Sequence, residues 1–260
     1  MSTMTEAAAE AAIGAAALSL RLPTVRTEAS RLADDAAREG LSHRAYLAAV
    51  LCAEVDERDA RRVERRVAEA RFPRIKRLSD FDLSAAPSIN RATFAAVASL
   101  SWVDAGQPLV ALGDPGTGKT HILIGAGLAA AEAGKRVRYT TVAALVNELA
   151  EAADERVLSR VVARYGRLDL LCLDELGYVK LDPRGAELLF QVMTEREERA
   201  SIAVASNAPF SEWGQTFPDP RLVGAVVDRL TFNAHILETG TSSYRLRSSR
   251  ARAKAQRGDQ

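Results

Sequence analysis

Cysteine is nearly absent: Cys52 and Cys172 are the only two in 260 residues, and neither has a partner at metal-ligand spacing. That excludes a disulfide framework and a cysteine-based zinc site, and it suits a reducing compartment. A charge excess is also missing, with 35 Lys and Arg against 34 Asp and Glu. The net charge therefore points to no polyanionic partner, and only its distribution along the chain can. No apolar run approaches the roughly 18 residues that cross a bilayer, so no membrane partner is expected. The apolar opening carries Glu6 and Glu10 where a signal peptide would carry Lys or Arg. A cytoplasmic protein is expected. No internal repeat is visible.

What is present is enough apolar material, 47% of the chain, to bury a substantial core. Residues 1–20 are rich in alanine and are expected to form a flexible leader. Residues 21–75 repeat apolar positions at helical spacing and predict a small helical N-terminal domain. Within it, Gly40 ends one helix and Ser42 caps the next. Pro73 marks its boundary, because the residue before a proline is pushed out of helical geometry. From 76 to 248 the pattern becomes strand, loop, helix. PLVALG (108–113), KRVRYTTV, LDLLCLD (168–174), SIAVASN (201–207) and AHILETG (234–240) predict five strands. Continuous apolar runs at 168–174 and 201–207 are the mark of strands buried on both faces. The fold class is therefore α/β, a parallel sheet flanked by helices. VAALVNELAEAADERVLSRVVARYG reads as helical between the second and third strands. Residues 249–260 are expected to be a basic flexible tail.

The chemistry begins at Gly113. Gly113, Asp114, Pro115, Gly116, Thr117, Gly118, Lys119 and Thr120 complete the pattern G-x-x-x-x-G-K-[ST] between a strand and a helix. Gly116 and Gly118 let successive backbone amides turn toward phosphate oxygens, where side chains would obstruct them. The following helix adds the positive end of its dipole. Lys119 supplies charge for the outer phosphates of a nucleotide, and the Thr120 hydroxyl can ligate Mg2+. An acid at the end of a neighbouring strand completes such a site, and LLCLDELGY provides two. Asp174 is the expected metal residue, and Glu175 the residue that orients and activates the attacking water. Asn207, at the end of the fourth strand, either polarises that water or forms the turn before Pro209. Arg229, near the end of a short helix, either reaches the nucleotide of a neighbouring subunit as an arginine finger or makes a surface ion pair.

Together these residues resemble the AAA+ ATPases of the IstB and DnaC group, and most closely the IstB-like helper ATPases of bacterial insertion sequences. The likeness is carried by GTGKTH with His121, LDELGY with Gly177 and Tyr178, ASN followed by Trp213 and Phe217, DRL, and SSYRLR. It also extends into SHRAYLAAVLCAEVDERDARR and ARFPRIKRLSDFDL, so it spans residues 20–248. The resemblance implies a sheet ordered 5-1-4-3-2, ATP as the bound nucleotide, and no helical lid after the core. It also implies ATP-dependent self-assembly on duplex DNA and delivery of a cognate transposase to target sites. His121 and Arg245 join the nucleotide-binding residues on the same ground, with a surface salt bridge as the other reading of Arg245. FNAH stands where the family often has a His pair, and the Ala-rich leader is unusual.

A helicase loader of the DnaC type is the alternative function, because the ATPase core alone does not separate the two and partner choice would reside in the helical N-terminal region. A small-molecule kinase is disfavoured by the lack of an arginine-rich lid between the strands. A helper that accepts many targets has no use for base readout, so DNA contact through backbone phosphates is expected. The basic residues of 58–77 and the tail are the candidates. As plain alternatives, the first stretch is a solvated helix face and the second a disordered end.

Overall fold

A computed structural model of the chain describes residues 5–241 together with Ser243 and Tyr244. The tail expected at 249–260, the residue Arg245 and the expected absence of a lid lie outside the described residues. The chain divides into two compact units, Met1–Glu64 and Arg65–Gln260.

The first unit holds α1 (Glu6–Ser19), α2 (Pro23–Glu39) and most of α3 (His43–Ala70). The flexible leader is thus corrected to a helix. Alanine has the highest helix propensity, and the Thr5 hydroxyl caps the first turn by accepting from Ala8 N. Pro23 starts α2 at a position where its missing N–H costs nothing. The buried Glu54 of α3 accepts from the first amides of α2, Thr24 N at 2.8 Å and Val25 N at 3.1 Å. A carboxylate there satisfies orphan donors and complements the helix dipole. The units divide at Glu64, inside α3 and earlier than residue 75, because Val67 and Ala70 already pack into the second unit's core. Arg71, with φ 58°, then turns the chain out of the helix ahead of Pro73.

The second unit is built on five parallel strands, β1 (Leu109–Leu112), β2 (Val137–Thr141), β3 (Leu170–Leu176), β4 (Ser201–Ser206) and β5 (His235–Glu238). Their order is β2-β3-β4-β1-β5, as the resemblance implied. Side chains alternate across a strand, and the two faces are filled differently. Val110, Leu112, Leu171, Leu173, Ile202 and Val204 face α7 (Val142–Asp154), α8 (Leu158–Gly166), α9 (Pro183–Arg196) and α10 (Pro220–Thr231). Leu109, Leu170, Cys172, Ala203 and Ala205 face α4 (Arg91–Ser99), α5 (Ser101–Asp104) and α6 (Lys119–Glu132).

Cys172, Ala203 and Ala205 on the second face are small, which lets α6 lie close to the sheet. A Cβ added at Gly127 of α6 would stand 3.0 Å from Cys172 Sγ, tighter than ordinary contact. The helical stretch expected over 142–166 is two helices, α7 and α8. Arg156 takes φ 60° between them, a left-handed turn made without glycine or proline.

Candidate nucleotide site

β1 delivers the chain to Gly113 at the carboxyl edge of the sheet. Gly113, Gly116 and Gly118 have φ of 146°, 83° and 110°, a region that side chains rarely enter. A Cβ at Gly113 would collide with the Thr239 hydroxyl, and one at Gly118 would stand 2.6 Å from Phe81 Cε2. The loop is held from behind by the segment after β5. Asp114 N donates to Gly240 O at 3.0 Å, and Tyr244 N donates to Gly116 O at 3.0 Å. Thr117 Oγ1 lies 2.8 Å from the Asp114 carbonyl and 2.5 Å from Thr239 Oγ1, which in turn lies 3.0 Å from Leu112 O. Asp114 and Pro115 are exposed at the tip, while Thr117 and Lys119 are buried.

Lys119 opens α6 and donates from Nζ to Asp114 O at 2.7 Å. Burial pulls its ammonium below the ordinary lysine value, against the opposing carboxylates of Asp174 and Asp114. Thr120 follows on the first turn of the same helix. His121 is occupied elsewhere: its Nε2 lies 2.8 Å from Arg77 O, and its ring meets Phe81 edge-on at 5.3 Å. The stretch from Phe72 to Phe81 packs along α6, with Leu78 against Gly125 and Phe72 against Gly127. His121 therefore fastens that stretch to the helix carrying the loop.

On β3 the two acids are turned to different sides. Asp174 is 4% exposed and Glu175 is open to solvent. The cause is a bulge: pairing with β4 slips between Leu173 and Leu176, and Glu175 adopts φ 64°. A left-handed non-glycine residue costs of order 1 kcal/mol or more and tends to persist at working sites. Asp174 Oδ1 accepts from Glu175 N at 2.9 Å, and its Oδ2 accepts from the Tyr139 hydroxyl at 2.7 Å. Tyr139 sits opposite Cys172 in the β2–β3 register, two residues before Asp174 on the same face. Asn207 follows β4, whose last residue Ser206 pairs with Leu112 on one side and Leu176 on the other. The strand order thus gathers the loop, Asn207 and the acidic pair along one edge. Trp213 Nε1 anchors the Asn207 turn by donating toward Ser206 Oγ at 3.2 Å and Ala208 O at 3.1 Å.

Arg229 is not part of this group. It lines a cavity of about 360 Å³ with Gln107, Pro108 and Ala200, at the amino ends of β1 and β4. Its Nε donates to Glu197 Oε2 at 2.8 Å, and its guanidinium lies 4.5 Å from the centre of the Phe190 ring. Tyr139, Phe81, Thr239 and Glu197 were not singled out from sequence. Of these, Tyr139 alone carried a usable signal, an aromatic hydroxyl on the strand beside the acidic pair.

The site fits a triphosphate with a hard cation. The glycine turns and the start of α6 present amides toward an anion. Among the described residues no group of three His, Cys, Asp or Glu stands together as a self-sufficient metal site. Thr120 and Asp174 could supply two oxygens to a Mg2+ that takes its other ligands from phosphate and water.

A five-stranded parallel sheet in this order, with a phosphate loop after β1 and an acidic pair on β3, defines an ATPase of the AAA+ type. The family model for the IstB-like ATP binding protein matches residues 15–252. The chain belongs to that family. It is 40% identical to an insertion-sequence ATP-binding protein of Sinorhizobium fredii, over 96% of this chain and 84% of the relative. It is 34% identical to the ATP-binding protein of an insertion sequence from Geobacillus stearothermophilus, over 92% of this chain and 95% of that protein. Among solved structures, AMPPCP-bound DnaA from Aquifex aeolicus matches with a TM-score of 0.53 at 23% identity, over 63% of this chain and 50% of that one. That likeness is one of fold.

Among the described residues no helix is long and apolar enough to cross a membrane.

Proposed function

We propose that this ATPase is a transposition helper: copies assemble on duplex DNA around bound ATP and there engage a cognate transposase. Lys119 and the loop amides hold the phosphates, and Thr120 and Asp174 would hold Mg2+, which would draw charge from the outer phosphate oxygens. Glu175, exposed at the bulge, aligns the attacking water and takes its proton, with Asn207 beside it polarising the same water. Backbone contacts to DNA suit a helper that accepts many sequences.

The observation that carries self-assembly is the position of Arg229. It lies beyond the amino end of β1, while the loop lies beyond its carboxyl end. Four strand residues at about 3.3 Å each put about 13 Å between those ends. Arg229 therefore cannot serve the nucleotide of its own subunit, and as a finger it acts on a neighbour's.

The partner is tested by capture of a purified insertion-sequence transposase on the full chain with duplex DNA. ATP-dependent capture is the expected result. Capture of the replicative helicase in place of the transposase would overturn the reading in favour of a loader.

A further inference from the structure

A second concave surface lies at the other end of the sheet from the nucleotide loop. It is a cleft of about 430 Å³ beside the first residues of the edge strand β2, and Arg66, Arg71, Arg136, Arg138, Arg164 and Arg167 all line it. They come from separate elements. Arg66 is in the last turns of α3 and Arg71 just past it, Arg136 precedes β2, Arg138 is on it, and Arg164 and Arg167 stand at the end of α8. Arg136 and Arg138 are two residues apart, the spacing that puts side chains on one side of a strand.

The acids present do not balance this charge. Arg66 pairs with Glu69 at 3.0 Å, Arg136 with Asp169 at 2.8 Å, and Arg164 with Glu148. Arg71, Arg138 and Arg167 have no ion pair among the described residues. Arg66 Nε is buried without an acceptor. Converging guanidinium groups repel one another, and an anion seated among them relieves the repulsion and supplies acceptors. Small-molecule pockets carry only a few polar groups, whereas six guanidinium groups line this cleft. Planar guanidinium forks match phosphate oxygens in pairs.

We propose that this arginine cleft seats the phosphodiester backbone of duplex DNA, which rests on the reading that the chain assembles on DNA. The contact reads charge and not bases, so affinity is independent of sequence. The nucleotide site is left untouched at the opposite edge of the sheet.

The test is duplex binding by the full chain with ATP and Mg2+ across a salt series, for wild type, Arg138→Glu with Arg167→Glu, and Arg138→Lys with Arg167→Lys. The glutamate pair should weaken binding about tenfold or more near 0.1 M salt and flatten the slope of log affinity against log salt by about two. Thermal melting and binding of a fluorescent ATP analogue should stay at wild-type values, and the lysine pair should keep most of the affinity. If the glutamate pair lowers the melting temperature, Arg71→Glu alone serves, with a slope change of about one. Inorganic phosphate, matched to the DNA in phosphate concentration, should not displace the duplex; displacement would make the cleft a small-anion site and overturn the proposal. Glutamate variants with wild-type affinity and slope would overturn the placement alone. A wild-type chain that binds no duplex would overturn the broader reading and this one with it.

Discussion

The hydroxyl of Tyr139 donates to Asp174 Oδ2 at 2.7 Å across the β2–β3 register. With Glu175 N on the other oxygen, this fixes the carboxylate of the residue proposed to hold the metal. Burial and the adjacent carboxylate both push the Tyr139 phenol up, so it stays a donor. Tyr139→Phe keeps the ring and removes the hydroxyl. The expected outcome is a loss of about 1 kcal/mol in metal positioning. In a titration of nucleotide-bound protein, the Mg2+ concentration for half-saturation should rise about fivefold, with binding of metal-free nucleotide unchanged. Identical Mg2+ curves would make Tyr139 a packing residue.

Gly118 combines φ 110° with Phe81 Cε2 at 2.6 Å from where a Cβ would be. Gly118→Ala should cost about 2 kcal/mol or more from backbone strain and collision, and should abolish ATP binding. Calorimetric titration with ATP reads the binding, and thermal melting reads the cost. Adding Phe81→Ala removes the collision but not the strain, so the double variant should recover stability only in part. Full recovery would show that the left-handed backbone has little importance here.

Arg229 is tied to Glu197 and Phe190 within its own subunit. Arg229→Ala should leave ATP binding intact and remove most turnover by the assembled protein, by the factor of 10³ or so typical of an arginine finger. Lys119→Ala should be inactive for the complementary reason. Mixing the two inactive variants creates some junctions with an intact nucleotide site and an intact finger, so phosphate release should reappear. A mixture as inactive as its parts would contradict action between subunits.

Asp169 sets an acid limit on stability. Burial alone would raise its carboxyl, but the Arg136 guanidinium and backbone N–H outweigh that and hold it below the ordinary range. A carboxyl depressed in the folded state contributes stability above its unfolded pKa, near 3.9. That stability is lost as pH falls through the folded value. Melting temperature should therefore fall steeply below about pH 4, and Asp169→Asn should melt lower near neutrality with a shallower acid slope. Parallel curves for the two proteins would remove Asp169 from the account.

Much of the fold was legible because its strands are buried on both faces, so LLCLD and SIAVAS stand out as apolar runs between helical segments. Strand order was not in the patterning and came from the resemblance. The loop residues were legible because phosphate chemistry restricts which residues can stand there. Residues whose roles depend on a partner distant in sequence were not: Thr239 acts by backing Thr117, and Glu197 by meeting Arg229. Helix α1 escaped because alanine carries no apolar and polar contrast, which removes the periodic signal although propensity is high. The break at Arg156 escaped because neither glycine nor proline marks it.

ATP as the bond between copies of this chain on DNA is tested most directly by weighing single complexes of Glu175→Gln with duplex DNA and Mg2+, with and without ATP. This variant should bind ATP without hydrolysing it, and with ATP it should give discrete multi-subunit masses on the duplex that vanish when ATP is withheld. One subunit per duplex with ATP present, or the same masses without it, would contradict the account.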